Sequence, residues 1–213
     1  GYLPEALLNF LVRLGWSNGD QEIFSMKEML ELFDPSNINK SASSYNGEKL
    51  LWLNSEYIKA VSNERLIEEL KFFDLDLSNY PKKNEILDLA KQRAQTLVEL
   101  KKSITDIIDI PTSYEESGVK KFIKEDTKEL LEKYLLLLES NKNSLDSVEK
   151  IEEFTKPFIN DNGLKFPQLF QPIRIALTGG TQAPSVYDII FILGYDEVST
   201  RINEALKRNF QNT

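Results

Sequence analysis

The sequence contains no cysteine and no histidine among its 213 residues. Without cysteine there can be no disulfides, and nothing points to an oxidising compartment, so we expect a cytoplasmic protein. The absence of both residues excludes Cys–His and Ser–His–Asp catalysis and the usual zinc sites. The 34 aspartates and glutamates are scattered and form no obvious pair for carboxylate catalysis. We therefore predict no catalytic residue and no metal site in this chain.

Long apolar runs are also missing, since no stretch reaches the about 18 residues that a membrane-spanning helix needs. The first residues lack the basic segment and the small-residue cleavage site of a signal peptide, so none is expected. Hydrophobic residues still make up 41% of the chain, which is enough to bury a core. The length suits one large domain or two to three small ones. We expect a monomer that does not associate with membranes.

Positive charge is in short supply, because 26 Lys and Arg residues face 34 Asp and Glu residues for a net charge of −8. This balance argues against non-specific binding to nucleic acids, DNA included, which depends on neutralising phosphates. A local basic face on an acidic body is still allowed. The alternative is that the basic residues only keep the protein in solution. The candidates for such a face are Lys82-Lys83, Lys91 with Arg93, Lys101-Lys102, and Lys120-Lys121 with Lys124.

Apolar residues recur at helical spacing through most of the chain, and strand-like alternation never lasts longer than a few residues. Ser25 and Glu28 form a capping box, which predicts the start of a helix. A long helical region is predicted over 82–110, with a break near Ser103, and the apolar run 134–138 is predicted to be buried on several sides. The sequence predicts an all-α fold made of helical bundle subdomains in tandem.

Two polar segments interrupt the helical pattern and predict boundaries between subdomains. The first, 74–81, is acidic and rich in turn-forming residues, whereas the second, 141–144, is shorter and weaker. The resulting subdomains are 1–73, 74–143 and 144–213.

The segment 167–193 carries only two charged residues, Arg174 and Asp188. Between its apolar blocks, Gly179 can stop a helix and Pro184 suits the first turn of the next one. The sequence predicts a helix, a tight polar turn and a second helix, with Arg174 partly exposed beside the turn. One interpretation of Arg174 is that its stem packs while its head reaches water. The other is that its rigid guanidinium contacts an anion or a base edge.

Three segments together resemble the C-terminal half of bacterial-type glutamyl-tRNA synthetases. They are GYLPEALLNFLVRLGWSNGDQEIFSMKEMLELFD at 1–34, EKLLWLNSEYI at 48–58, and QPIRIALTGG followed by AP and LG within 171–194. The segments come in the family's order and with comparable spacing. In that family the catalytic domain, with its HIGH-like and KMSKS-like motifs, precedes this region, and neither motif is present in this sequence.

The resemblance implies that residues 1–73 face the inner side of the tRNA and that residues 74–213 hold the anticodon loop. The stretch LAKQRAQTL is similar to the family helix whose arginine reads the last anticodon base, which places Arg93 in that role. Bases in single-stranded loops are read on aromatic or guanidinium planes and at their edges. The other tRNA-binding candidates that match the family or lie beside a match are Arg174, Thr178, Gly179, Pro184, Lys91, Lys156, Trp52 and Asn54.

Two of these candidates have an ordinary alternative. Arg93 can be interpreted as a solvated charge on a helix, which is the usual situation of an arginine. Trp52 can be interpreted as a core residue instead of a platform for a base.

The resemblance implies that the chain is the tRNA-binding, anticodon-recognising part of a glutamyl-tRNA synthetase. The complete protein would join glutamate to tRNA-Glu with ATP and Mg²⁺, and this part would need no cofactor. Whether tRNA-Gln is a second partner is left open, because one anticodon base separates the two. The alternative is a helical protein-interaction module without RNA binding, which the charge of −8 favours. The lack of a catalytic set disfavours an autonomous enzyme.

Overall fold

The computed structural model describes residues 1–39, 44–182 and 184–212, and within these ranges the secondary structure is helical, without strands. The all-α prediction is therefore confirmed. Short 3-10 turns occupy Pro35–Asn37 and Lys142–Ser144. The α-helices in the described ranges are α1 Pro4–Gly15, α2 Met26–Leu32, α3 Gly47–Ala60, α4 Asn63–Lys71, α5 Lys83–Ala90, α6 Leu97–Ile108, α7 Glu116–Phe122, α8 Thr127–Ser140, α9 Val148–Asp161, α10 Phe166–Thr178 and α11 Val186–Lys207.

The chain divides into two compact units, Gly1–Lys102 and Ser103–Thr213. The boundary between them falls within α6. The division into 1–73, 74–143 and 144–213 concerns smaller subdomains and stays a prediction.

The first unit is built around α1 and α3, which pack against each other. Phe10 of α1 contacts Leu50 and Leu53 of α3 in a buried apolar cluster. The predicted capping box at α2 is confirmed, because Ser25 Oγ accepts from the Glu28 N–H at 3.2 Å and Glu28 Oε2 accepts from the Ser25 N–H at 2.7 Å. Both bonds satisfy amides that would otherwise lack partners at a helix start.

The predicted long helix is interrupted at 91–96 and not near Ser103, so the predicted position of the break is wrong. Thr96 Oγ1 accepts from the Glu99 N–H at 3.1 Å, and Glu99 Oε2 accepts from the Gln95 N–H at 2.8 Å. The first bond satisfies an amide in the first turn of α6, the second satisfies the amide of a residue just before that helix, and both favour a new helix start here. The spacing Thr96-x-x-Glu99 is a capping signal in the sequence that the continuous apolar stripe obscured.

The second unit is built around α10 and α11, which pack against each other and against α8. The apolar run 134–138 is amphipathic and not buried all round, because Tyr134 is fully buried while Leu136 is 63% exposed. Within α11 the backbone departs from helical geometry at Gly194, with φ 73° and ψ 172°. This kink divides α11 into two segments.

Candidate nucleic-acid interface

The turn between α10 and α11 is defined by the bonds that close each helix end. α10 stops at Gly179, whose φ of 78° is a left-handed conformation that glycine adopts without strain. The Thr178 hydroxyl donates to the carbonyl of Arg174 at 2.9 Å. Ser185 then caps α11 by accepting from the second amide of that helix. The predicted helix, turn and helix are confirmed, and Ala183 lies outside the described residues.

Arg174 spans this turn. Its side chain is partly exposed, and its Nη2 donates to the carbonyl oxygen of Pro184 at 3.3 Å. The guanidinium therefore connects the end of α10 to the residues that precede α11. Partial exposure beside the turn is confirmed, while contact with RNA stays a prediction. Four of the predicted site residues meet here, namely Arg174, Thr178, Gly179 and Pro184.

A carboxylate from the residue before α7 is bonded to the same turn. The N–H of Glu115 donates to the carbonyl of Gly179 at 2.7 Å. In return, Glu115 Oε2 accepts from the N–H of Thr181 at 2.9 Å and from its hydroxyl at 2.7 Å. The hydroxyl of Ser117 donates to Oε1. Hydrogen bonds from Ser117, and then from the hydroxyl and amide of Thr181, hold the pKa of Glu115 below its ordinary value.

Two glycines let this loop and this turn approach closely. A Cβ on Gly179 would lie 2.6 Å from the carbonyl oxygen of Ser113, and one on Gly118 would lie 2.5 Å from Cγ2 of Thr181. The first contact is with backbone, so position 179 requires glycine, whereas a side chain at position 118 would have to displace the methyl group of Thr181. Sequence analysis missed Glu115 because its partner is 66 residues away and no periodicity marks the loop.

Arg201 of α11 supports the turn from the interior. Its side chain is fully buried, and its Nε is 2.7 Å from Oε1 of Glu197. The remaining guanidinium donors reach the carbonyl oxygens of Leu177, Ile107 and Ile108 at 2.7 to 2.8 Å. Sequence analysis missed this residue as well, because an arginine in a helical pattern is normally exposed.

Arg93 and Lys91 lie at the break between α5 and α6, in the first unit. Arg93 is exposed, and it forms no ion pair with the residues that the structure describes. Its predicted place on a helix is wrong, because it belongs to the turn at 91–96. Lys91 has a side chain only 14% exposed, and its Nζ lies 2.8 Å from Oδ1 of Asp88. This contact, chiefly a hydrogen bond, holds the pKa of Asp88 below its ordinary value.

Trp52 and Asn54 occupy α3 in contrasting environments. Trp52 is 42% exposed, so the interpretation of this residue as a core residue is wrong. Asn54 is fully buried: its Oδ1 accepts from the Leu3 N–H at 2.8 Å, and its Nδ2 donates to the Gln95 carbonyl at 2.6 Å. Its side-chain amide is thus engaged by backbone groups, and its role in tRNA binding stays a prediction.

Three further predicted cations, Lys121, Lys124 and Lys156, lie on exposed surfaces of the second unit. Lys156 of α9 has its Nζ 2.7 Å from Oε1 of Glu152. Lys121 and Lys124 line a cleft of about 240 Å³, together with Phe122, Asp126, Thr127, Leu130, Leu164, Pro167 and Gln168. A basic rim therefore adjoins apolar side chains in this cleft.

The groups around the α10–α11 turn are suited to binding nucleic acid. Guanidinium donors, hydroxyls and main-chain groups are those with which proteins bind phosphates and base edges. Across 1–39, 44–182 and 184–212, no group of three acidic side chains is placed to hold a metal ion. The same ranges contain no helix with the length and apolarity needed to traverse a bilayer.

Two protein families match this chain. Residues 52–206 match the family described as "Anticodon binding domain", which accounts for more than half of the chain. Residues 1–52 match the family described as "tRNA synthetases class I (E and Q), catalytic domain". The arginines and the α10–α11 turn described above all lie within the first match.

Individual relatives agree with these families. The chain is 99% identical over 213 residues to "Glutamate--tRNA ligase 1" of Aliarcobacter butzleri, covering all of this chain and 45% of that protein. It is 48% identical over 208 residues to "Glutamate--tRNA ligase 2" of Campylobacter fetus, covering 98% of this chain and 45% of the relative. A crystal structure of a glutamate tRNA ligase from Elizabethkingia meningosepticum matches with a TM-score of 0.85 and 31% identity, over 97% of this chain and 41% of that one. The chain thus spans less than half the length of these relatives.

Proposed function

The chain belongs to the anticodon binding domain family, and on this basis we propose that it is the tRNA-binding part of a glutamate–tRNA ligase. The complete protein would join glutamate to tRNA-Glu with ATP and Mg²⁺. This chain would supply affinity for the tRNA and selection of its anticodon, and would need no cofactor of its own. It would work as a monomer in the cytoplasm.

The observation that carries this proposal is the guanidinium of the partly exposed Arg174 at the α10–α11 turn, within the region that matches the family. Its bond to the Pro184 carbonyl fixes its orientation beside the turn, and a planar guanidinium presents donors whose geometry suits base edges and phosphates. Single-stranded RNA loops present base edges and phosphates, and both accept hydrogen bonds from such donors.

The predicted residues divide by their surroundings into three roles. Arg93, which is exposed, would contact a base edge, and Trp52 would offer a face for stacking. Lys91 and Lys156, which already have carboxylate partners, would add positive potential near phosphates. The turn residues Thr178, Gly179 and Pro184 would provide hydroxyl and main-chain contacts beside Arg174.

Different regions of the chain would contact different parts of the tRNA. Residues 1–73 would face the inner side of the tRNA, and the subdomains 74–143 and 144–213 would hold the anticodon loop. Whether tRNA-Gln is also accepted is a question for the same binding measurements, because the two tRNAs differ at one anticodon base.

Binding of transcribed tRNA-Glu to the purified chain, followed by fluorescence anisotropy, tests the proposal. We expect weak binding that loses affinity steeply between about 50 and about 200 mM salt, because an acidic protein must use a local basic face. A transcript with a replaced anticodon is the control and should bind less tightly. Absence of binding at the lower salt concentration, or equal binding of both transcripts, would contradict anticodon recognition by this chain.

A further inference from the structure

We propose that Glu115 is a positioning residue that fixes the conformation in which the turn 178–181 contacts RNA. This inference rests on the proposed function, because it assigns to Glu115 a task in tRNA binding. The composition does not suggest this role for Glu115, because an acidic side chain beside an RNA-binding turn would ordinarily repel phosphates.

Three hydrogen bonds join Glu115 to the turn. The N–H of Glu115 holds the carbonyl of Gly179 at 2.7 Å, and its Oε2 accepts both the amide and the hydroxyl of Thr181 at 2.9 and 2.7 Å. The turn is therefore held at a carbonyl and at an amide two residues later. Together these bonds restrict rotation of the peptide groups between Gly179 and Thr181, and hydrogen bonds to a carboxylate are stronger than neutral ones.

Glu115 is itself held in place by the bonds of the residues that precede it. Tyr114, the preceding residue, exchanges two bonds with Asn212: its N–H donates to Oδ1 at 2.6 Å, and its carbonyl accepts from Nδ2 at 3.1 Å. Nη2 of Arg208 donates to the Thr112 carbonyl at 3.0 Å. A loop anchored by the C-terminal residues can position a turn, whereas a loose loop could not.

The loop before α7 and the turn are also in close steric contact. The loop and the turn meet so closely that a Cβ on Gly118 would lie 2.5 Å from Thr181, and one on Gly179 would lie 2.6 Å from the Ser113 carbonyl. Position 179 permits this approach only as glycine, and a side chain at position 118 would displace the Thr181 methyl group, so the turn is tightly packed against the loop. Its hydroxyl and main-chain groups are thereby oriented before a ligand arrives, which lowers the entropy cost of binding.

The test compares Glu115→Gln with Glu116→Gln, which removes the same charge from the exposed neighbouring residue at the start of α7. If Glu115 were only a surface acid, both variants would bind tRNA-Glu slightly more tightly, because each loses a negative charge. If Glu115 positions the turn, the change in tRNA affinity caused by Glu115→Gln should have the opposite sign. We expect Glu115→Gln to bind about tenfold more weakly, the effect of losing one strong hydrogen bond. Glu116→Gln should match or slightly exceed the unaltered chain.

A second readout is amide hydrogen exchange at Thr181, with the melting temperature as a check on folding. Glu115→Gln should exchange faster at this amide than Glu116→Gln, with both variants melting near the unaltered chain. Thr181→Val, which removes only the hydroxyl, should weaken tRNA binding by less than Glu115→Gln, and the two changes should not be additive.

Each result decides the inference. Unchanged or tighter binding by Glu115→Gln, or an equal loss in Glu116→Gln, would overturn it while leaving the proposed function intact. Failure of the unaltered chain to bind tRNA-Glu would overturn the proposed function and this inference together.

Discussion

Arg201 and Leu177 are joined by a hydrogen bond of 2.7 Å between a guanidinium nitrogen and a main-chain carbonyl oxygen, one residue before the turn that begins at Thr178. The carbonyl groups at the end of a helix lack intrahelical partners. Arg201 supplies donors to such carbonyls on both α10 and α6, and it does so from a fully buried position. A single side chain therefore closes two helix ends beneath the candidate interface.

Replacing Arg201 with glutamine should destabilise the chain severely, because buried carbonyls and Glu197 would lose a shared cation. We expect the free energy of unfolding to fall by about 3–5 kcal/mol, because three main-chain carbonyls would lose a charged donor and each such loss costs about 1–3 kcal/mol. Urea denaturation measures the change. Lys207→Gln, a control on the exposed surface of the same helix, should stay within about 0.5 kcal/mol of the unaltered chain. An equally small loss of unfolding free energy in the Arg201→Gln variant would show that the bonds of Arg201 do not stabilise the fold.

Asn54→Leu tests whether this residue is structural. The substitution keeps a similar size but leaves the Leu3 amide and the Gln95 carbonyl without their side-chain partner. Each unsatisfied buried group costs about 1–3 kcal/mol, so thermal unfolding should occur at a clearly lower temperature. Asn143→Leu, at an exposed position, is the matched control. If both variants melt alike, the amide of Asn54 contributes little.

Arg93→Ala should leave the melting temperature unchanged, because the side chain is exposed and forms no ion pair among the described residues. Loss of a base contact should weaken binding of tRNA-Glu by roughly 1–3 kcal/mol. Lys27→Ala, which removes an exposed cation on α2, is the control. An equal loss of affinity for every tRNA would identify Arg93 as a phosphate contact and not a base contact.

Arg174→Glu should weaken tRNA binding by reversing a charge at the turn and removing the bond to the Pro184 carbonyl. In the complete glutamate–tRNA ligase that we propose, we expect kcat/KM for tRNA to fall while ATP-dependent activation of glutamate stays near normal. Arg174→Lys keeps the charge but lacks the planar donors. Its affinity for tRNA should therefore lie between that of the Arg174→Glu variant and that of the unaltered chain. Normal charging by the Arg174→Glu enzyme would limit Arg174 to a role in folding.

Glu5 makes part of the stability dependent on pH. The guanidinium of Arg65, 2.6 Å away and bound to both carboxylate oxygens, holds the pKa of Glu5 below its ordinary value chiefly by hydrogen bonding. A lowered pKa in the folded state stabilises the protein above the unfolded value of about 4.3, and this contribution is lost as the pH falls through the lower folded value.

Glu5→Gln should therefore reduce stability at pH 7 by at most about 1 kcal/mol, as for a partly exposed pair, and should reduce the decline in stability between about pH 5 and pH 3. Urea denaturation across this range measures both effects. Glu48→Gln, at an exposed residue of α3, should leave the slope close to that of the unaltered chain. Parallel pH profiles for the Glu5 variant and the unaltered chain would contradict the assignment.

The sequence predicted the fold correctly where residues close together in the chain determine the structure by themselves. The apolar spacing predicted helices, Ser25 with Glu28 predicted the start of α2, and Gly179 predicted the end of α10. The break at 91–96 was misplaced because the apolar stripe runs through it, although the Thr96 capping signal lies in the sequence.

The parts of the site that could not be predicted depend on contacts between distant residues. Glu115 and Thr181 are 66 residues apart, and Arg201 is 94 residues from Ile107. A glutamate in a loop and an arginine in a helix both suggest exposed charges, and only the packing of α6, α7, α10 and α11 gives them partners. The exposure of Trp52 is of the same kind, since helical spacing does not reveal whether another element covers that face.

Glycine is required at position 194 by the backbone angles and not by a lack of space. Its φ of 73° and ψ of 172° belong to a region closed to L-residues, yet a Cβ built there would meet no atom within 4 Å. An L-alanine at this position would strain the backbone while having ample room for its methyl group. The kink in α11 therefore excludes an L-side chain through its backbone angles and not through a clash.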